Sequence, residues 1–189
     1  LAATRVNSDG LIEKGRENLL TYSNTLTNSV WQTSGSSTIT GGQSGHDGTT
    51  NAYLFSNAAA GERFQRVDSV ITSITGINTL SGYFKAGTAD GVRIRIDRSS
   101  SDANIYVNLT DGSEAATPSA AVISYDVTDV GNGWYRLEVA ADWVNVLNIR
   151  IYSIDDTGTQ VIGTFYLQDL QIEKGLVATD YIETGSTTA

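Results

Sequence analysis

Apolar and polar residues alternate with period two in five stretches of the chain: Leu80–Lys85, Val92–Asp97, Asn104–Leu109, Tyr135–Val139 and Leu147–Tyr152. Successive side chains of an extended strand point to opposite faces, so each stretch predicts a strand with one core face and one outward face. Turn-forming clusters separate the strands: Gly87-Thr88-Ala89-Asp90-Gly91, Asp111-Gly112, Gly131-Asn132-Gly133 and Asp156-Thr157-Gly158. No stretch keeps a helical period beyond a turn or two. Regularly spaced strands without helices predict an all-β antiparallel sandwich or barrel.

The pattern divides the chain into three zones. Residues 1–17 are polar around a Ser8-Asp9-Gly10 turn flanked by Arg5-Val6 and Leu11-Ile12, which reads as a connector or small hairpin. Residues 18–182 carry the strands. Residues 183–189 (ETGSTTA) read as a polar linker or tail.

Composition narrows the function classes. The 189 residues, 40% of them hydrophobic, suffice for one substantial core. With no Cys, disulfides, thiol nucleophiles and thiolate metal sites are excluded. With no Met, the chain is expected to be a processed product or a piece of a longer protein. No apolar run approaches a membrane span, so no membrane insertion is expected. A formal charge of −9 argues against nucleic-acid binding, which needs clustered Lys and Arg to neutralise phosphates.

Catalytic chemistry finds little support, and no enzyme is expected. The sole histidine, His46, sits in a Gly-rich loop beside Asp47, and adjacent loop residues do not make a triad. No Gly-x-Ser-x-Gly elbow is present. Most carboxylates flank turns, where they serve local hydrogen bonds.

Trp134 opens the strand that follows the Gly-Asn-Gly turn. Alternation puts Tyr135, Leu137 and Val139 on the core face and Trp134, Arg136 and Glu138 on the other. Trp134 then either covers the rim of the sandwich or offers a ring to a sugar.

Several phrases, in order, resemble a β-sandwich module of tailed-phage structural proteins, itself related in pattern to carbohydrate-binding modules. They are TRVNSDGLIE with NLLTYSN and Trp31, DGTTNAYLF (47–55), SGYFKAGT (81–88), VGNGWYRLEV (130–139) and FYLQDLQIEKGLVATDYIET (165–184). The chain departs from the family where Leu167-Gln168-Asp169 replaces a usual Trp-Gly-Ala-Gln, and where Glu183 replaces a proline. The resemblance implies a two-sheet jelly roll at the surface of a virion, on a head or tail appendage. Its implied partners are host-surface or environmental glycans, neighbouring virion proteins and two further copies of itself in a homotrimer. A secreted binding module attached to a glycoside hydrolase is the alternative setting. Related jelly rolls also imply one structural calcium between first and last strands, with Asp169 and Asp47 as the candidate ligands.

The outward faces supply a candidate site. Setting aside the core-facing Phe84, Val92, Ile94, Ile96, Ile105, Val107 and Leu109 leaves two aromatic rings, three cations and two amides on three consecutive strands. If those strands are neighbours, Tyr83, Arg93, Arg95 and Tyr106 line a shallow sugar-binding face, with Lys85 and Asn108 at its edges. Aromatic rings stack on sugar C–H surfaces, and Arg and Asn form paired hydrogen bonds to hydroxyls. The cations would favour carboxylated or sulfated glycans. The same residues also suit solubilising cross-strand pairs or a contact between sister copies, as in a purely structural fibre domain.

Overall fold

In a computed structural model the described residues are 4–6, 10 and 12–188, with side chains described at 10 and from 15 onward. Fourteen strands and one helical turn appear among them. β1 (Thr4–Val6) and β2 (Ile12–Lys14) pair antiparallel only with each other, and the Ser8-Asp9 turn lies outside the described residues.

The remaining strands form a sandwich of two six-stranded antiparallel sheets. The first sheet contains β3 (Trp31–Thr33), β6 (Phe64–Arg66), β8 (Gly91–Arg98), β9 (Ala103–Asn108), β10 (Glu114–Ala116) and β13 (Val146–Ile154), in the spatial order β10-β9-β8-β13-β6-β3. The second contains β4 (Thr38–Gln43), β5 (Ala52–Ser56), β7 (Ile77–Ala86), β11 (Val122–Gly131), β12 (Trp134–Asp142) and β14 (Thr164–Lys174), in the order β11-β12-β7-β14-β5-β4. Helix α1 (Ser69–Ser73) is one turn, capped by the Asp68 side chain, which accepts from Ile71 N. Of the sandwich or barrel that the alternation left open, the sandwich is present, and the five alternating stretches lie in strands, with Leu109 just past the end of β9.

The core fills as the period-two pattern requires. Phe55, Phe84, Leu137, Phe165 and Leu167 of the second sheet meet Phe64, Ile94, Ile96, Ile105 and Ile149 of the first. The Gly-Asn-Gly segment becomes a two-residue hairpin loop between β11 and β12. Asn132 and Gly133 both take positive φ, 55° and 76°, as the tight turn that matches strand twist requires.

One irregularity shapes everything on the second sheet's outward face. Gln168 of β14 pairs with Tyr83 of β7, but the next pair is Gln171 with Ser81. Asp169 and Leu170 thus oppose Gly82 alone, which is a β-bulge. Asp169 sits at φ 56° and Leu170 turns into the core. Gly82 leaves the room for it, since a Cβ there would come within 2.6 Å of Leu170 Cδ2.

Beyond the bulge, the described chain ends wrap the sandwich. Leu19 N donates to Ile172 O, and the fully buried Asn18 bonds four backbone groups: it accepts from Leu20 N and Ile172 N and donates to Leu170 O and Ile182 O. Residues 183–184 are held as well, because Thr184, 2% exposed, bonds Ser23 and Leu20. The expected boundary at 182 therefore moves outward, and the polar composition of Glu183-Thr184 serves hydrogen bonds to residues 20–24 rather than a free tail.

Asn18 ties the start of the sandwich, the bulge and the C-terminal segment together. Asn18→Ala is expected to cost about 3 kcal/mol, because four buried backbone groups lose their partner. A urea unfolding midpoint equal to that of the wild type would refute this role.

Candidate functional site

The six residues grouped by the sequence do not share a face. Tyr83 and Lys85 lie on β7 in the second sheet, whereas Arg93, Arg95, Tyr106 and Asn108 lie on β8 and β9 in the first. The chain crosses from one sheet to the other between β7 and β8, so these two groups look outward from opposite sides of the sandwich. Asn108 is moreover occupied, its Oδ1 accepting from Thr110 N and Oγ1 to close a turn.

On the second sheet, the outward neighbours of Tyr83 are Arg136 on β12 and Gln168 on β14, while Lys85 lies between Trp134 and Tyr166. The loop between β4 and β5 folds over this region. His46 stacks on Tyr83, with centroids 3.5 Å apart and planes within 8°, and meets Trp134 edge-on at 6.3 Å. It is anchored twice: its backbone N–H donates to Gln168 Oε1, and Nε2 lies 3.2 Å from Asp169 Oδ2. His46 had carried no role in the sequence because its partner is 123 residues away. Trp134 is 2% exposed, so its ring is a packing element beneath the loop and not a free platform.

The bulge sets the electrostatics. Burial pushes the Asp169 carboxyl above its ordinary value, and the bond and charge of His46 offset part of that rise. The neighbouring carboxylates of Asp47 and Glu183 add to the rise. Burial likewise raises the Tyr83 phenol, partly offset by Arg136, which keeps its hydroxyl protonated and able to donate.

Asp47 and Asp169, the pair put forward for calcium, do come together. Their ligating atoms and that of His46 all lie within 4.8 Å of one another. The donor set does not match that metal, since calcium takes six to eight oxygens. Here the third donor is an imidazole nitrogen, and Asp47 Oδ1 already accepts from Thr49 N and Oγ1. These residues read as a latch for the loop.

The C-terminal segment, residues 175–184, returns across the same face. Glu173, fully buried, accepts from Thr179 N and Oγ1 and from Gln171 Nε2. Arg136 donates to Thr179 O and pairs with Glu138 at 3.1 Å; Ile182 N donates to Gln171 Oε1. The loop and this segment leave two hollows on the face. One of about 200 Å³ is lined by Gln43, Ser44, Lys85 and Tyr166. The other, about 350 Å³, is lined among others by Thr79, Ser124, Asp126, Glu138, Leu176 and Val177. Six residue steps along β7, about 20 Å of extended chain, separate Lys85 from Thr79.

No protein-family model matches the chain, and no curated protein matches it by sequence. Solved structures do. The CBM22-1 xylan-binding domain of Paenibacillus barcinonensis Xyn10C is 13% identical, with a TM-score of 0.51 over 87% of this chain and 95% of that one. The fold is thus a two-sheet β-sandwich similar to that of this domain. The CBM22-1-GH10 modules of Clostridium thermocellum endo-1,4-beta-D-xylanase 10B align at 0.49 and 12% identity, over 87% of this chain and 29% of theirs. Bacteriophage CBA120 tailspike protein 4 aligns at 0.48 and 15% identity, over 85% of this chain and 21% of its own. This chain spans under a third of each of those two.

Because the folded protein holds the Asp169 proton more tightly than the unfolded chain does, stability falls as pH rises past the ordinary carboxylate range. The cost of burying the charge therefore grows as pH rises above that range. Asp169→Asn removes it and tolerates the positive φ. The variant is expected to unfold at higher urea than the wild type at pH 7, with the gap narrowing towards pH 4. A variant less stable than the wild type at pH 7 would show that the His46 bond outweighs the desolvation.

Proposed function

We propose that this protein is a non-catalytic glycan-binding module whose second-sheet face takes a neutral oligosaccharide. One observation carries the reading: the outward face of β11, β12, β7 and β14 holds two hollows about 20 Å apart along a strand. Between them lie Arg136 and Tyr83, whose ring His46 covers, while Glu138 borders the larger hollow. Such a face offers, to a sugar, hydroxyl and carboxylate acceptors, the Lys85 cation and the Tyr166 ring. The larger hollow falls within the usual range for small-ligand clefts, roughly 300–1,000 Å³. Its Asp126 and Glu138 carboxylates accept from neutral sugar hydroxyls and repel acidic glycans. The similar fold of a xylan-binding domain supports the substrate class.

Affinity gel electrophoresis against neutral polysaccharides, xylan included, tests this. Retardation is expected for the wild type and should weaken about tenfold in Glu138→Gln and in Asp126→Ala, each loss being worth one charge-assisted hydrogen bond. Migration unaffected by every neutral polymer would refute the reading.

The setting we infer is a virion appendage carrying three copies of the module, supported by the ordered phage-like phrases of the sequence. Attachment to a secreted glycoside hydrolase is the second setting, supported by the likeness to the Xyn10C domain. A light-scattering mass of the full-length parent protein separates them: a trimer is expected, and a monomer would remove the fibre.

A further inference from the structure

The outward face of the first sheet is chemically unlike the second. β13, β8 and β9 are adjacent, and their register places Tyr152 beside Arg93 beside Tyr106, with Arg150 beside Arg95 beside Asn104 in the next row. Arg93 lies between two rings, its Cζ 5.2 Å from the Tyr152 centroid and 5.4 Å from that of Tyr106. Asn104 Oδ1 accepts from its Nε and Nη2, which holds the guanidinium in one plane. Two π faces and an amide fix Arg93 without neutralising it, and among the described residues it pairs with no carboxylate.

The second row is more nearly balanced. Asp97 takes Arg95 at 2.7 Å and Arg150 at 2.9 Å, and Asp102 takes Arg95 at 2.6 Å. Three cations against two carboxylates leave a local charge of +1 on a chain whose total is −9. The face is also short of acceptors: Arg95 Nε and Arg150 Nε have no partner among the described residues. A like-charged pair directly across two strands is unfavourable by itself. An arrangement that keeps Arg93 charged and rigid, and stacks its rings ready-made, is suited to receive an anion.

We propose that this face is a second binding surface, for a carboxylated saccharide, with Arg93 as the contact to the carboxylate and Tyr106 and Arg150 beside it. Carboxylated saccharide is the occupant because the row couples one uncompensated planar cation to the partly exposed ring of Tyr106. A free inorganic anion would use the cation alone. The proposal does not rest on the neutral-sugar reading of the opposite face, and either can fail without the other.

The test is calorimetric titration of the intact chain with an oligogalacturonate and, separately, with its methyl ester, which has the same rings without the charge. Binding is expected for the acid and not for the ester. It should weaken steeply between low salt and 0.5 M salt, where the screening length falls to roughly a few Å. Arg93→Gln, checked for fold by circular dichroism, should lower affinity about tenfold. Should that variant not fold, Arg150→Gln is expected to weaken binding in the same direction. Asn51→Ala, an exposed position in the β4–β5 loop on the opposite face, should leave it unchanged. Equal binding of acid and ester, unchanged affinity in the folded Arg93 or Arg150 variant, or loss in Asn51→Ala would each overturn the site. Sulfate displacing the oligogalacturonate at equal concentration would show a simple anion site and overturn the saccharide.

Discussion

The bulge at Asp169 and Leu170 is the constraint on which the second sheet's outer surface depends. One extra residue against Gly82 shifts the phase of β14, so that Leu167 and Leu170, three positions apart, both reach the core. The shift frees Asp169 to turn outward, where it holds His46, and His46 in turn covers Tyr83. Below the bulge, Asn18 occupies the backbone groups of Leu170 and Ile172 that a regular ladder would have used. A buried polar backbone must find such partners, so the bulge and the wrapped chain ends stabilise one another. Without the bulge Asp169 would not face His46, and the latch would be lost.

The same constraint decides what each face can do. On the second sheet, loop and segment occupy much of the sheet and leave hollows at its ends. The polar residues beneath are engaged by the chain itself: Gln171 and Glu173 bond backbone and hydroxyl groups of residues 179–182. What remains for a ligand is an acidic larger hollow and a smaller one beside Lys85 and Tyr166. On the first sheet the turn at Gly158 reaches the Tyr106 ring, where an added Cβ would lie 3.4 Å from Tyr106 Cδ1, and the Arg93 row itself is cationic. Charge thus differs between the two faces of a strongly acidic chain, which would let each take a different class of ligand, as proposed.

Much of the fold was legible because period-two alternation reports directly on strand faces. Tyr83, Lys85, Arg93 and Tyr106 all point outward, as their positions require. Alternation carries no information on which sheet a strand joins. The segment from Gly87 to Asp90 has the composition of a hairpin turn, but it leads across the sandwich, and this split the expected site in two. The latch could have been approached from one signal. In Phe165-Tyr166-Leu167-Gln168-Asp169-Leu170-Gln171-Ile172 the apolar residues move from odd to even positions at Asp169, which is how a bulge appears in a sequence. Its partner His46 could not be read, since nothing local to a glycine-rich loop tells where it folds.

Two outward faces on one sandwich also restrict how glycans can be engaged. Packed sheets stand about 10 Å apart, and their outer surfaces point in opposite directions. A single extended saccharide cannot lie on both at once. Two glycan-binding faces, as proposed, would therefore each meet a separate chain, or distant parts of one flexible chain. An open sheet surface buries little area and binds weakly alone. Linkage through one rigid module makes the second contact intramolecular, so that a matrix containing both neutral and acidic chains would be held far more firmly than either chain in isolation. The rigid spacing set by the core, more than the strength of either face, is what a mixed polysaccharide surface would read.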